Sequence, residues 1–194
     1  MKEIKLNLPL SESDVRNLKQ GDMVLLSGTI FTGRDAVHKH LYDGKTIPVS
    51  FTGSAIYHCG PVVVKENGQW IVRAAGPTTS TREEPYQATI IEKFGVRAVI
   101  GKGGMGQKTL EACQKFGCVY LHAVGGAAQV LAEKIVRVSN VYMLEEFGSP
   151  EAVWELEVKD FPALVTIDTH GKSLHNEVTA SSQLVLDKLI GKSK

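Results

Sequence analysis

A regular alternation of helical and strand patterns between residues 84 and 144 most constrains the fold of this chain. Helical periodicity alternates there with short apolar runs rich in β-branched residues. Helices are predicted at 84–94, 106–116 and 126–134, and strands at 96–100, 118–123 and 136–144. This order is typical of parallel β-α-β units with right-handed crossovers. The second half of the chain is therefore predicted to form a mostly parallel sheet.

The first half has a different pattern, with short strands and tight turns. A strand at 3–8 and a brief helix that ends near Gly21 precede a strand at 22–31 and a helix at 34–42. Residues 47–75 contain several short strands, and Asn67-Gly68 is a strong hairpin signal. A final strand at 163–168 precedes a helix at 177–190. These patterns predict an α/β fold with a mostly antiparallel first half.

Length and composition favour one globular domain. The chain has 194 residues, of which 43% are hydrophobic and 22% charged, with no internal repeat. We predict a single domain over 1–194, with a strand and helix as lead-in at 1–20 and a terminal helix at 177–194. The formal net charge of +1 does not indicate a nucleic-acid-binding protein. Neither a signal peptide nor an apolar run of about 20 residues is evident, so we expect a cytoplasmic protein without membrane contact.

Three polar segments with glycines lie where a strand is followed by a helix. They are residues 27–35 (SGTIFTGRD), 75–82 (AGPTTSTR) and 100–106 (IGKGGMG). Each places one cation at the start of a helix, namely Arg34, Arg82 and Lys102. Helix N-termini attract anions, and an arginine adds bidentate carboxylate recognition. Together the three cations indicate a site for a small dicarboxylate.

Other interpretations of these segments remain open at this point. Each cation could instead pair with a nearby acid, for example Arg82 with Glu83 or Glu84. The third segment formally matches G-x-G-x-x-G, but no acidic residue follows at the distance that a dinucleotide site requires. A P-loop is excluded, because no Gly-Lys-Ser/Thr closes the segment. A stand-alone, non-catalytic anion-binding domain is the competing functional class.

The remaining reactive side chains give weaker signals. The Ser/Thr run at 78–81 is typical of a turn before a helix, although one hydroxyl could transfer a proton beside an anion site. The spacing of the three cysteines matches no metal motif, so we interpret them as buried apolar residues. The six histidines also lack metal-site spacing, and most of them are interpreted as ordinary surface or boundary residues. We therefore predict no metal ligand in this chain.

Five motifs in order resemble one known family. They are GDMVLLSGTIFTGRDAVHKHL, SAIYHCGPVV, AAGPTTSTR, AVIGKGGMG and EEFGSPEAVWELEVKDFPALVTID. The chain from residue 21 to 168 is similar to the C-terminal domain of class I (iron–sulfur) fumarate hydratases and to the β subunit of L-tartrate dehydratase. The sequence departs from the usual family pattern in two places: Glu83-Glu84 replace Met-Asp, and His170 replaces a residue that is often acidic.

The resemblance implies a swivelling β/β/α domain with three layers, a central parallel sheet and a second antiparallel sheet. It implies a hydro-lyase, either fumarate hydratase or tartrate dehydratase, with a 4Fe-4S cluster held by a separate α subunit. A heterodimer or heterotetramer with that subunit is expected. The family's carboxylate ligands carry over to Arg34, Arg82 and Lys102, and its proton-transfer hydroxyl to Thr78.

Overall fold

The structure, a computed structural model, describes residues 3–191 and contains nine strands and seven α-helices in that range. The strands are β1 (Glu3–Asn7), β2 (Met23–Thr32), β3 (Ala55–Tyr57), β4 (Val62–Glu66), β5 (Gln69–Ala74), β6 (Ala98–Gly101), β7 (Val119–His122), β8 (Ile135–Tyr142) and β9 (Val153–Ile167). The helices are α1 (Glu12–Arg16), α2 (Asp35–Tyr42), α3 (Glu84–Phe94), α4 (Gln107–Phe116), α5 (Ala128–Ala132), α6 (Leu144–Phe147) and α7 (Leu174–Leu189). A short 3-10 helix, Ser80–Glu83, leads into α3.

One seven-stranded sheet forms the centre of the molecule, in the order β1-β2-β3-β6-β7-β9-β8. The neighbours from β1 to β7 all run parallel, whereas β9 is antiparallel to both β7 and β8. The long strand β9 also pairs antiparallel with β2. Because β9 contacts both β2 and β7, the strands β2, β3, β6, β7 and β9 close into a ring. The hairpin β4-β5 is a separate two-stranded sheet.

Residues on both faces of the central parallel strands β3 and β6 are buried, as their uninterrupted apolar runs require. Successive side chains of a strand point to opposite faces. Ala98 and Ile100 accordingly belong to an inner apolar cluster with residues of β1, β2 and β9, while Val99 belongs to an outer cluster. The outer cluster contains Ile90 of α3 and Leu110 of α4. Helices α2, α3 and α4 thus cover one face of the sheet.

Local sequence signals account for several element ends. The Ser11 hydroxyl accepts the Asp14 N–H and the Asp14 carboxylate accepts the Ser11 N–H, which is the capping box that starts α1. Asn67 and Gly68 both have positive φ, 50° and 83°, as a two-residue type I′ hairpin requires. The predicted hairpin and the α/β fold class, with a central mainly parallel sheet and a separate antiparallel sheet, are confirmed.

The predicted division into an antiparallel first half and a parallel second half is wrong. Strands β1, β2 and β3 are mutually parallel, and the two last strands, β8 and β9, are antiparallel. Only the β6-α4-β7 unit has the predicted parallel arrangement, because β8 pairs with β9 and not with β7. Side-chain periodicity reports that a segment is a strand, but strand direction depends on distant partners that periodicity does not encode.

The last strand is much longer than the predicted segment 163–168. Strand β9 spans 15 residues, and the charged Asp160 and the strand-breaking Pro162 interrupt the pattern and conceal its first part. Asp160 has a φ of 50°, and the register against β2 shifts between Leu26 and Gly28, so a bulge accommodates these residues.

The terminal helix begins earlier than predicted, since α7 spans Leu174–Leu189. The predicted lead-in and terminal helix extend in part over residues 1–2 and 192–194, which lie outside the described residues. The extent of the domain over 1–194 stays a prediction. Within residues 3–191, no helix is both long and apolar enough to cross a membrane.

Candidate active site

Four parallel strands end side by side at one edge of the sheet. Backbone hydrogen bonds continue beyond the strand ends, from Gly33 N–H to Tyr57 O (2.9 Å), from His58 N–H to Ile100 O (2.8 Å) and from Ala123 N–H to Gly101 O (2.8 Å). The loops that follow β2, β3, β6 and β7 therefore start next to each other. In open and in closed α/β sheets alike, ligands bind at the carboxyl ends of the parallel strands.

The segment with the Ser/Thr run lies across this edge and is held by backbone hydrogen bonds. Thr78 N–H donates to His58 O (2.6 Å), and Thr78 O accepts from Lys102 N–H (3.2 Å). Ser80 N–H in turn donates to Lys102 O (2.9 Å). The hydroxyl of Tyr57 donates to Ala75 O at the start of the segment (2.5 Å). The backbones of Thr78 and Lys102, two predicted site residues, are thus directly joined.

Arg34 occupies the start of α2 and is mostly buried. Its Nε lies 3.3 Å from Glu151 Oε1, and one terminal nitrogen donates to Pro150 O (3.4 Å). Glu151 also accepts the Ala36 N–H (3.0 Å), so this carboxylate serves as the N-terminal cap that the Arg34 side chain does not provide. A Cβ on Gly60 would lie 2.7 Å from Arg34 Nη1, so the absence of a side chain there makes room for the guanidinium.

Arg82 is half-exposed and forms an ion pair with Asp35, the first residue of α2. The pair joins the 3-10 helix to α2 and places Arg82 near the start of the helix that Arg34 precedes. The suggested partners Glu83 and Glu84 are wrong. Glu84 instead accepts the N–H groups of Gly106, Lys108 and Thr109 at the start of α4.

Lys102 differs from the two arginines, because no carboxylate within residues 3–191 lies within ion-pair distance of its amine. The structure thus brings Thr78 and Lys102 together at one sheet edge and places Arg34 and Arg82 at the adjoining start of α2. The binding and catalytic roles of these four residues stay predictions.

A chain of buried polar side chains lies beneath these loops. Gln87 Oε1 lies 3.0 Å from Nε2 of both His38 and His58. His58 Nδ1 lies 2.8 Å from Ser80 Oγ, which also accepts a hydrogen bond from the Tyr120 hydroxyl (2.9 Å). His38 and His58 are fully buried and are exceptions to the expectation that most histidines lie at surface or boundary positions. The sequence did contain a signal for this burial, since both histidines have apolar neighbours: Val37 and Leu41 near His38, and Tyr57 and Cys59 beside His58.

The hydrogen-bond partners determine where the protons lie in this network. The Arg34 carbonyl can only accept, so His38 Nδ1, at 2.9 Å, carries the hydrogen. Burial lowers the pKa of both imidazoles, and the neutral His38 ring then leaves Nε2 as an acceptor. A donor must therefore face the two histidine Nε2 atoms. Rotation of the Gln87 amide by about 180° exchanges its oxygen and nitrogen, which are nearly equal in size, and places the amide nitrogen there. In this arrangement His58 Nδ1 donates to Ser80 Oγ.

Acid is expected to destabilise the fold through these two histidines. Below pH 6.5 the unfolded chain takes up protons that the buried rings do not, so stability falls as the pH falls. The loss reaches up to about 2 kcal/mol per histidine by pH 5. Urea unfolding at pH 7, 6 and 5 measures it, with Gln87→Glu as a comparison in which a carboxylate raises the pKa of both rings. An equal pH dependence in the two proteins would contradict this assignment.

The cysteines do not fit the ligands of an iron–sulfur cluster. All three are buried free thiols, at Cys59, Cys113 and Cys118, and the interpretation as buried apolar residues is confirmed. Burial raises the pKa of Cys59 to about 12, and the neighbouring Cys118 thiol, followed by burial, raises the pKa of Cys113. Cys59 belongs to the inner apolar cluster, whereas Cys113 and Cys118 belong to the outer one, so the three thiols do not face one common site. Among residues 3–191, no three His, Cys, Asp or Glu side chains are grouped to hold a metal ion.

Comparison with known proteins places this chain in a family. The fumarase C-terminus family matches residues 1–178. A putative class I fumarate hydratase of Geobacillus stearothermophilus is 58% identical over 96% of this chain, but the chain spans only 35% of that relative's length. A putative L(+)-tartrate dehydratase subunit beta of Methanocaldococcus jannaschii is 43% identical over 94% of the chain and 96% of the relative. The L(+)-tartrate dehydratase subunit beta of Escherichia coli is 41% identical over 90% and 87%. The chain therefore belongs to the family of the fumarase C-terminal domain.

Proposed function

We propose that this chain is the β subunit of a cytoplasmic iron–sulfur hydro-lyase that adds water reversibly to fumarate to form L-malate. The relative with 58% identity is named a class I fumarate hydratase, and the two relatives of similar length are named subunits beta. The names of the shorter relatives support a separate α subunit as partner, in a heterodimer or heterotetramer. The side chains within residues 3–191 do not fit a 4Fe-4S cluster, so the proposal assigns the cluster to that partner.

The observation that supports this function most is the arrangement of the cations at one sheet edge. Lys102 and Thr78 are joined through their backbones, and Arg34 and Arg82 lie at the start of α2, beside the same strand ends. Two guanidinium groups and one ammonium group suit a dianion with two carboxylates. Fumarate, malate and tartrate are all such dianions.

Each cation has a role that its surroundings support. Arg34, mostly buried and braced by Glu151, would hold one substrate carboxylate in a fixed orientation. Arg82, half-exposed, would turn from Asp35 towards the substrate when it binds. Lys102 would stabilise the negative charge that develops as a proton leaves the carbon beside a carboxylate. The Thr78 hydroxyl would pass that proton on, with a stronger base supplied by the partner.

The test of this proposal is a hydratase assay under anaerobic conditions, following fumarate absorbance. The chain is assayed alone, then after assembly with an α subunit that carries the cluster. We expect turnover only in the assembled enzyme, because the cluster and the dicarboxylate ligands lie on different chains. Turnover by the chain alone would contradict the divided site. Absence of turnover with every dicarboxylate, despite an intact cluster, would favour a non-catalytic anion-binding domain.

A tartrate dehydratase β subunit is the second candidate. It is favoured by the names of two relatives, 43% and 41% identical to this chain, both of which are named L(+)-tartrate dehydratase subunit beta. The proposed roles of Arg34, Arg82, Lys102 and Thr78 would be the same. The ratio of kcat/KM for fumarate to that for L(+)-tartrate, measured with one preparation, decides between them.

A further inference from the structure

Glu83 is a buried carboxyl group without a hydrogen-bond partner. It lies between Arg82 and Glu84 at the junction of the 3-10 helix and α3, and its exposed fraction is 0%. Neither carboxyl oxygen has a hydrogen-bond partner among the described residues. An ionised carboxylate is rarely buried without a partner, because it loses its hydration and gains nothing in exchange. This side chain is therefore better suited to the neutral, protonated form.

The charged groups around Glu83 also favour its protonated form. Asp35 faces it from α2, Arg82 from the 3-10 helix and Glu151 from the loop before β9. Glu151 is itself paired with Arg34. Two guanidinium groups thus share one cluster with three carboxyl groups, which we call the Arg34–Arg82 cluster. The cluster is electrically neutral only when one of the three carboxyl groups holds a proton.

The hydrogen bonds indicate which carboxyl group holds it. Asp35 is ion-paired with Arg82, and Glu151 binds Arg34 and the Ala36 N–H, so both are stabilised as anions. Glu83 has no such partner. Burial, followed by the neighbouring Asp35 carboxylate, raises the pKa of Glu83 to about 8. The proton of the cluster therefore belongs on Glu83.

We propose that Glu83 is a positioning residue whose proton keeps the Arg34–Arg82 cluster neutral, and that loss of this proton weakens dicarboxylate binding. The proposal rests on the proposed function, because it takes the two arginines as ligands of a dianion. Ionised Glu83 adds a negative charge beside Arg82 and strengthens the hold of the carboxyl groups on the guanidinium. Both effects oppose the binding of the dicarboxylate substrate, which is itself an anion.

The first test detects the proton itself in the chain alone. Infrared spectra of the wild type and of Glu83→Gln are recorded between pH 6 and 10. We expect the wild type to show the carbonyl band of a protonated carboxyl at pH 7, which disappears with a midpoint near pH 8 and is missing in Glu83→Gln. A wild-type spectrum without this band at pH 7 would overturn the proposal.

The second test measures the consequence for binding. The dissociation constant of fumarate for the assembled enzyme is determined between pH 7 and 9, where fumarate remains a dianion. For the wild type we expect a rise of about tenfold, the factor for binding that requires a group with a pKa near 8 to be protonated. In Glu83→Gln, which is neutral at every pH, the change should be below about twofold.

Two further variants separate charge from other effects. Glu83→Met is also neutral but has no proton to donate, so it should lose the pH dependence as Glu83→Gln does. Glu66→Gln removes a carboxylate that is ion-paired with Arg73 on the hairpin, away from the site, and should retain the wild-type profile. The proposal falls if Glu83→Gln and Glu83→Met keep the tenfold change, or if Glu66→Gln loses it.

The two proposals can fail separately. An infrared band and a pH-dependent affinity that both depend on Glu83, in an enzyme that turns over no dicarboxylate, would leave the role of Glu83 standing and overturn the hydro-lyase function. Normal turnover, with binding that is equally dependent on pH in the wild type and Glu83→Gln, would overturn the role of Glu83 alone.

Discussion

Replacing Arg82 with alanine is expected to lower kcat/KM for the dicarboxylate about a hundredfold or more in the assembled enzyme, the effect of losing a charge-assisted contact of about 3 kcal/mol. Two changes act in the same direction. The variant lacks the guanidinium that would bind the substrate carboxylate. It also leaves Asp35 without its partner, so an uncompensated negative charge faces the incoming dianion.

The fold should tolerate this replacement, because an ion pair between exposed side chains contributes little to stability. The matched control is Arg73→Ala on β5. Arg73 is paired with Glu66 and its side chain is 54% exposed, against 55% for Arg82, but it lies on the hairpin β4-β5. Equal kcat/KM values for Arg82→Ala and Arg73→Ala, each with an unchanged melting temperature, would contradict the assignment of Arg82 to the site.

Replacing Gly101 with alanine is expected to destabilise the chain by about 3 kcal/mol, the upper part of the range for overpacked cores. A Cβ on Gly101 would overlap with Ser80 Oγ and lie 3.1 Å from the Tyr120 hydroxyl and 3.3 Å from His58 Nδ1. All three atoms are buried, and they belong to the polar network beneath the site. Ser80 would have to move, and its backbone bond to Lys102 would move with it. Turnover should therefore fall together with stability.

Urea unfolding measures this effect, and two variants test its cause. Gly125→Ala is the control at the same sheet edge, since its Cβ would meet the nearest atom, Lys102 Cδ, at an ordinary 3.4 Å. The double variant Gly101→Ala with Ser80→Ala lacks the overlapping oxygen. Its loss of stability should therefore be smaller than the sum of the losses of the two single variants. Strictly additive losses would show that Gly101 is not constrained by Ser80.

Much of the local structure could be predicted because local signals determine it. The Asn67-Gly68 hairpin, the capping box at Ser11 and the strand and helix between residues 96 and 116 follow from turn chemistry and periodicity. The order and direction of the strands could not be predicted in this way. They depend on pairings between distant segments, such as Met23 opposite Leu164. The local sequence pattern carries no information about such pairings.

The three cations of the candidate site could be predicted from the sequence, whereas the residues that hold them could not. Arg34, Arg82 and Lys102 stood out because each follows a strand and precedes a helix in a glycine-rich segment. Glu151, which pairs with Arg34, lies in the last of the five family motifs, but its distance along the chain gave no indication that the two residues meet. The burial of His38 and His58 was not predicted for a similar reason, because their common partner Gln87 lies far along the chain on α3 and an isolated glutamine gives no signal.

Strand β9 has a consequence for the synthesis of the protein. Its residues pair with β2, β7 and β8, with Phe31 opposite Glu155 and Tyr120 opposite Ile167. The ring of strands therefore cannot close until residue 167 has left the ribosome. Until then β2 and β7 expose unpaired backbone edges, to which strands of other nascent chains can add. Folding that waits for such distant pairings is slow, so the period of exposure is long compared with that of a helical protein of this size.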